Sequence, residues 1–228
     1  MKKMMLVMAA SALAAVVAAS AQEVLSANAV GYVRRTIPAG KLATVAIPFV
    51  DMNSTNVGVE FGTTTIAQEA PQDSEVMFWN ETAQVWNQGA KGPKGWAGAQ
   101  SNYVVKPGEG FFMKNNSTTD FEVTASGEVP GDESLARAYA GASALSVLAN
   151  PYPVDFNFGT STLAAELPQD SEVMFWNETA QVWNQGAKGP KGWAGAQSNT
   201  FVSAGEGFFI RMPGDGSTWT QVKPYTWP

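Results

Sequence analysis

Residues 71–102 read PQDSEVMFWNETAQVWNQGAKGPKGWAGAQSN, and residues 168–199 read the same 32 letters, 97 positions later. Six of the eight tryptophans lie inside these two segments. The chain is therefore a tandem duplication, and it has to be treated as two modules before any fold is assigned. Outward from the repeat, the copies drift. Upstream, Phe61-Gly62-Thr63 matches Phe158-Gly159-Thr160, but Ile66 faces Leu163 and Gln68 faces Ala165. Downstream, Gly108-Glu109-Gly110-Phe111-Phe112 matches Gly205-Glu206-Gly207-Phe208-Phe209, while Tyr103 has become Thr200 and Lys106 has become Ser203. Differences excluded from the centre and abundant at the edges fit two accounts. One is gene conversion across the centre; the other is that both copies are held to one surface.

Each copy opens with a strand. In Glu75-Val76-Met77-Phe78-Trp79, period-two geometry sets Val76 and Phe78 on one face and Met77 and Trp79 on the other. Asn80-Glu81-Thr82-Ala83 is a hairpin connection into Gln84-Val85-Trp86-Asn87, where cross-strand aromatic and β-branched pairs stabilise by roughly 0.2–1 kcal/mol each. Both faces of the first strand are apolar, so one belongs to the core and the other needs a cover. Gly89, Gly92, Gly95 and Gly98 then recur every third residue. They are far too few for a collagen triple helix. The stretch reads as an extended, glycine-permissive loop carrying Lys91, Lys94 and Trp96, and in the second copy Lys188, Lys191 and Trp193. Its tryptophan either folds back as a lid on the hairpin or is displayed for binding.

Around the repeat, short alternating runs with β-branched and aromatic residues dominate, punctuated by glycine and proline. This predicts an all-β fold of two antiparallel sandwich or barrel-like modules with short helical turns. Residues 24–36 and 42–50 read as strands joined across Pro38-Ala39-Gly40. Residues 63–70 and 161–167 read as one or two helical turns, stopped by Pro71 and Pro168. Lys106-Pro107-Gly108-Glu109 suits a type II turn, and because Ala204 replaces the proline in the second copy while Gly205 remains, the glycine is the critical residue. Residues 121–129 close the first module and residues 217–227 the second. The boundary falls at Pro130-Gly131, giving modules 22–130 and 131–228. The Pro48-Phe49 and Pro151-Tyr152 pairs correspond, with about six residues inserted in the first copy.

Residues 1–21 read as a secretory signal peptide: Lys2 and Lys3, an apolar run, then Ala19-Ser20-Ala21. The run is shorter than the ~20 apolar residues a membrane span needs, so no span is expected after cleavage. Its removal leaves 12 basic against 20 acidic side chains, a formal charge of −8. An acidic chain without basic clusters is a poor nucleic-acid partner. With no Cys and no His, disulfides, cysteine nucleophiles, Ser-His-Asp triads and His-ligated metals are excluded, and no cofactor or metal is expected.

The order of motifs resembles that of a loosely defined group of secreted bacterial proteins of verrucomicrobial type. The residues are Ser26-Ala27-Asn28-Ala29-Val30-Gly31-Tyr32 at the expected mature start, the Pro38-Ala39-Gly40 turn, Asn150-Pro151, the tryptophan hairpin and Pro107-Gly108-Glu109-Gly110-Phe111-Phe112. The first module departs from it with Ile47 where the second has Asn150. The resemblance implies secretion or display at the surface or periplasm of a Gram-negative-type bacterium, and β-structure, but no activity.

Glu109 and Glu206 are the conspicuous acid pair. Glycoside hydrolysis needs two carboxylates about 5–9.5 Å apart, which they reach only if a pseudo-two-fold axis brings them together; otherwise each is a turn residue between glycines. Asp73 with Glu75, and Asp170 with Glu172, flank strand starts and read as solvated. Residues 51–56 offer oxygen ligands of the sort calcium accepts, without the glycine and terminal glutamate of an EF-hand. Asn80-Glu81-Thr82 and Asn177-Glu178-Thr179 match a glycosylation acceptor pattern, uninformative in a bacterial chain. Trp79, Trp86, Trp96 and their copies Trp176, Trp183, Trp193 are the candidate ligand-binding residues, able to form two linked sugar-stacking platforms. Equally, tryptophans are ordinary core residues of small β-domains. The leading expectation is a non-catalytic structural or interaction protein of the envelope or extracellular matrix, with extracellular polysaccharide or envelope proteins as partners. A bivalent carbohydrate-binding protein is the alternative, and a carboxylate glycoside hydrolase a remote one.

Overall fold

The computed structural model describes residues 29–50, 58–96 and 98–226. The signal-peptide segment and the candidate calcium-ligand stretch at 51–56 lie outside the described residues.

The chain is all-β, and the two modules repeat one order of elements. The first contains β1 (Val30–Ile37), β2 (Leu42–Ala46), β3 (Val59–Glu60), α1 (Thr65–Glu69), β4 (Glu75–Asn80), β5 (Val85–Gly92), β6 (Gly95–Trp96), β7 (Val104–Val105), β8 (Gly110–Lys114) and β9 (Phe121–Glu128). The second contains β10 (Ser134–Tyr139), β11 (Leu145–Ala149), β12 (Phe156–Asn157), α2 (Thr162–Glu166), β13 (Glu172–Asn177), β14 (Val182–Gly189), β15 (Gly192–Trp193), β16 (Phe201–Val202), β17 (Gly207–Arg211) and β18 (Ser217–Val222). Each module has a five-stranded sheet, in the orders β2-β8-β4-β5-β6 and β11-β17-β13-β14-β15. Ribbons β1-β9 and β10-β18 and the short pairs β3-β7 and β12-β16 complete them. All pairings are antiparallel. Although β1 and β2 adjoin in sequence, each finds its partner far along the chain, β9 and β8 respectively.

Local chemistry sets the turns. Gly108 at φ +82 and Gly205 at φ +78 occupy the left-handed position of the two turns, closed by Glu109 N–H to Lys106 O at 3.0 Å and Glu206 N–H to Ser203 O at 2.9 Å. That is the type II geometry, and it depends on glycine with or without the preceding proline. The helical turns are capped at their N-termini by Thr64 and Ser161, whose hydroxyls accept from Ala67 N and Ala164 N at 3.1 Å. At the other end Lys91 donates to the Gln68 and Ala70 carbonyls, and Lys188 to those of Ala164, Ala165 and Leu167.

The glycine-rich stretch differs from the expected loop. β5 continues through Gly89 and Gly92, and Gly92-Pro93-Lys94-Gly95 turns the chain directly into β6. Proline at the second and glycine at the fourth position are what a tight turn of this kind favours. Gly89 lies against Gln100, whose side chain a Cβ would approach to 2.7 Å. The copy repeats this between Gly186 and Gln197.

Period-two alternation decides where each core forms. Val76 and Phe78 of β4, with Phe111 and Met113 of β8, point into the first module against Val33 and Ile37 of β1, Val123 of β9, Phe61 and Ile66. Phe208 and Ile210 of β17 do the same in the second, with Leu163, Val173 and Trp219. The opposite faces carry Met77, Trp79, Trp86 and Phe112, and Met174, Trp176 and Phe209. These meet in a third cluster shared by both modules. The two large sheets therefore stand back to back, and the second apolar face of the repeat strand is covered by the other module. Trp96, the expected lid, closes the first face instead, edge-on to Phe61 at 5.2 Å with its indole N–H donated to Ala67 O at 2.8 Å. Trp193 does so against Phe158 and Ala164 O.

Candidate functional site: the joint between the modules

The repeat hairpin of each module reaches the edge strand of the other. β2 and β11 end their sheets, and an open edge presents unpaired N–H and C=O groups that proteins must cover. Here the cover is a side chain. Gln181 accepts from Leu42 N–H at 3.0 Å and donates to Leu42 O at 2.9 Å, imitating a strand neighbour. Trp176 donates its indole N–H to the same carbonyl at 2.8 Å. Reciprocally, Gln84 accepts from Leu145 N–H at 2.7 Å and donates to Leu145 O at 3.0 Å, while Trp79 donates to Leu145 O at 2.8 Å. Further along the edges, Ala46 N–H donates to Gly205 O at 2.8 Å and Ala149 N–H to Gly108 O at 2.9 Å. The joint is a pseudo-two-fold: each contact occurs twice with the modules exchanged.

The two glutamines sit at φ +54 and +57, a left-handed conformation that side chains other than glycine and asparagine resist. Their turns would be more stable locally with glycine. The clamp explains the glutamine, since the left-handed corner aims the amide at the neighbouring edge. A glutamine at a turn corner, twice, was the available sequence signal.

Between the sheets lie six rings. Trp79 and Trp86 are 4.9 Å apart, as are Trp176 and Trp183. Trp86 lies 5.7 Å from Phe209 across the joint, Phe112 lies 5.7 Å from both Trp176 and Trp183, and the two phenylalanines are 6.3 Å apart. Most are edge-to-face, the arrangement the ring quadrupole favours, worth about 0.5–1.5 kcal/mol per pair beyond area burial. The six candidate tryptophans therefore divide into four at the joint and two on module cores. They do not assemble into two platforms. Trp183 keeps the largest accessible fraction, 37%.

At either side of the joint an arginine from one module meets a glutamate from the other's repeat. Arg137 pairs with Glu81 at 2.5 Å, and Arg35 pairs with Glu178 and lies 3.5 Å from Glu206. Burial pushes the Glu81 carboxyl above its ordinary range; Arg137 opposes this and Glu109 adds to it. Glu178 is raised in the same way, with Arg35 opposing and Glu206 adding. The structure thus sets Glu109 beside Glu81 and Glu206 beside Glu178. Glu109 accepts from the Tyr103 hydroxyl and from Lys106 N–H at 3.2 Å, and Glu206 accepts from Ser203 N–H at 3.1 Å. Both brace their own turns. Tyr103, raised well above the phenol range by burial and then by Glu109, stays protonated as a donor.

These clusters line two clefts, of about 380 Å³ around Glu81, Tyr103, Glu109 and Arg137, and about 390 Å³ around Tyr32, Arg35, Asp155 and Glu178. Tyr103 and Lys106 line the first cleft and Ser203 the second, so the clefts differ although the scaffold is shared. Asp73 and Asp170 are exposed as expected. Glu75 and Glu172 instead pair with Lys114 and Arg211. Asn80 and Asn177 fold onto the N–H groups of their own hairpin turns. Among the described residues, no group of three or more carboxylates is arranged to hold a metal, and no helix is long and apolar enough to cross a membrane. Comparison with protein-family models, with curated proteins and with solved structures returned no match.

Proposed function

We propose that this chain is a secreted, non-catalytic structural or interaction protein of the cell envelope or extracellular matrix. One observation carries the reading: the residues with the greatest binding potential are spent on the molecule itself. Four of the six repeat tryptophans donate their N–H groups to the chain's own carbonyls. The glutamates of both clefts are taken up by arginines or by turn N–H groups. A carboxylate whose lone pairs are engaged in this way is a brace. A rigid, doubly braced, acidic β-body without disulfides suits a load-carrying or spacing role outside the cell. The alternative, sugar stacking on tryptophan loops, loses its main support because Trp96 and Trp193 lie on core rings.

Affinity electrophoresis of the chain against a panel of soluble polysaccharides, beside localisation by fractionation and N-terminal sequencing of the native protein, tests this. No retardation, with the chain recovered from envelope or medium and starting near Gln22, is expected. Retardation abolished by Trp183→Ala in a folded variant would replace the proposal with carbohydrate binding. Recovery from the cytoplasm would overturn it.

A further inference from the structure

The joint is built so that a second copy of this chain can replace the internal partner. We infer that the modules exchange between copies, module 1 of one chain seating on module 2 of another, to give swapped dimers and longer runs. Three observations carry this. First, the two faces of the joint are made of the same residues in the same roles: Trp79, Glu81 and Gln84 with Arg137 and Leu145, and Trp176, Glu178 and Gln181 with Arg35 and Leu42. An interface of this reciprocal kind is the isologous type by which separate subunits associate. Nothing in it requires that the two halves belong to one chain.

Second, each module supplies most of its own core, with Ala204 and Tyr225 of module 2 packed at the edge of the first. Parting at the joint therefore leaves two packed bodies with one sticky face each. Third, the connection between them is short. Val129 N–H is held by Ala29 O of module 1 at 2.8 Å. From Pro130 onward the chain is held by module 2: Tyr225 donates to Pro130 O, Lys223 to Gly131 O, and Tyr152 to Asp132 O. The hinge is the Val129–Pro130 link, where allegiance changes from one module to the other. Exchange opens that link and remakes every contact of the joint with a neighbour. All native hydrogen bonds, ion pairs and ring contacts are kept, so the closed and exchanged forms differ only in linker geometry and concentration.

A short linker gives the internal partner an effective concentration of about 1 mM. Closed monomers therefore dominate at micromolar concentration, and exchange competes where the chain is crowded or folds at high concentration. Thr44 stands where module 2 has Val147, and its buried hydroxyl has no hydrogen-bond partner. Pairing module 1 with another module 1 would carry two such hydroxyls, whereas exchange carries one. The inference does not depend on the envelope role.

The test is co-refolding. Two full-length copies of different mass are unfolded in urea, refolded together at about 1 mM and at about 1 µM, and read by light scattering and native mass spectrometry. Mixed dimers are expected from the concentrated sample, at least tenfold more than from the dilute one, and none on mixing already folded stocks. Monomer at every concentration would overturn the inference. So would mixed dimers formed on simple mixing of folded stocks, since those mark an ordinary surface contact.

Discussion

Removing a clamp glutamine isolates the central device of the joint. In Gln181→Ala the Leu42 N–H loses its acceptor, and Leu42 O keeps one donor, the Trp176 indole at 2.8 Å. Leaving a buried donor unsatisfied costs about 1–3 kcal/mol, and the lower half of that range applies because Leu42 is half-buried. The φ of +57 remains, so no strain is relieved. In Gln181→Gly the clamp is lost equally, but the left-handed corner now suits its residue, recovering about 1–2 kcal/mol. The glycine variant is therefore expected to be more stable than the alanine variant by about 1 kcal/mol or more and close to wild type. Gln84→Ala and Gln84→Gly should reproduce the pattern at Leu145. Urea unfolding followed by tryptophan fluorescence gives the free energies, and amide exchange gives the location. The Leu42 amide should lose protection in both variants while Thr44 and Val45 hold theirs. An unchanged Leu42 amide, or Gln181→Ala as stable as wild type, would refute the clamp.

Three further outcomes are expected. Trp96→Ala or Trp193→Ala removes a half-buried lid and its hydrogen bond, costing roughly 2–4 kcal/mol each by thermal or urea unfolding; a neutral result would mean the lids are not packed. Gly108→Ala should cost about 1–2 kcal/mol for its left-handed backbone. Gly205→Ala should cost more than this, because its Cβ would also lie 2.7 Å from Val33 whereas that of Gly108 would lie 3.3 Å from Arg137; equal urea midpoints would contradict the packing. The third concerns pH. Glu81 and Glu178 have folded-state pKa values raised above 4.5, so the folded chain holds their protons more tightly than the unfolded chain. Their contribution to stability is full below the unfolded value and is lost as pH rises through the folded one. The stability of wild type relative to Glu81→Gln/Glu178→Gln should thus fall as pH rises above the ordinary glutamate pKa of about 4.3, and a difference that grows with pH would reverse the assignment.

What could be read from the sequence was what local chemistry decides. The faces of Glu75–Asn80, the two helical turns before Pro71 and Pro168, and the dependence of the 105–109 turn on glycine rather than proline follow from backbone geometry within a few residues. The covering of the outer face could not be read, since Gln181 meets Leu42 across 139 positions and no spacing rule links them. The glycine period misled because it suggested loop, while Gln100 and the Pro93-Lys94 turn hold those glycines in a hairpin. Glu109 and Glu206 drew attention as a pair through their repetition. Each carboxylate is taken up by the N–H of its own turn.

The division of labour at the joint bears on the identity of the two repeats. The side chains that reach across, Trp79, Glu81, Gln84 and Trp86 with their copies, all lie in the identical segment. The edges they reach contribute backbone groups, at Leu42 and at Leu145. Backbone N–H and C=O groups present the same edge whichever side chains accompany them. Accordingly β2 reads LATVA and β11 reads LSVLA, differing at three of five positions while making the same contacts. Arg35 and Arg137, the receiving residues that act through side chains, are both arginine. The exposed Asn87, Ala90 and Lys94 have no structural account for their identity. For the residues that reach across, a change in one copy breaks its half of the joint and strands a polar group on the other module. In the account where both copies are held to one surface, that surface is each other's edge strand.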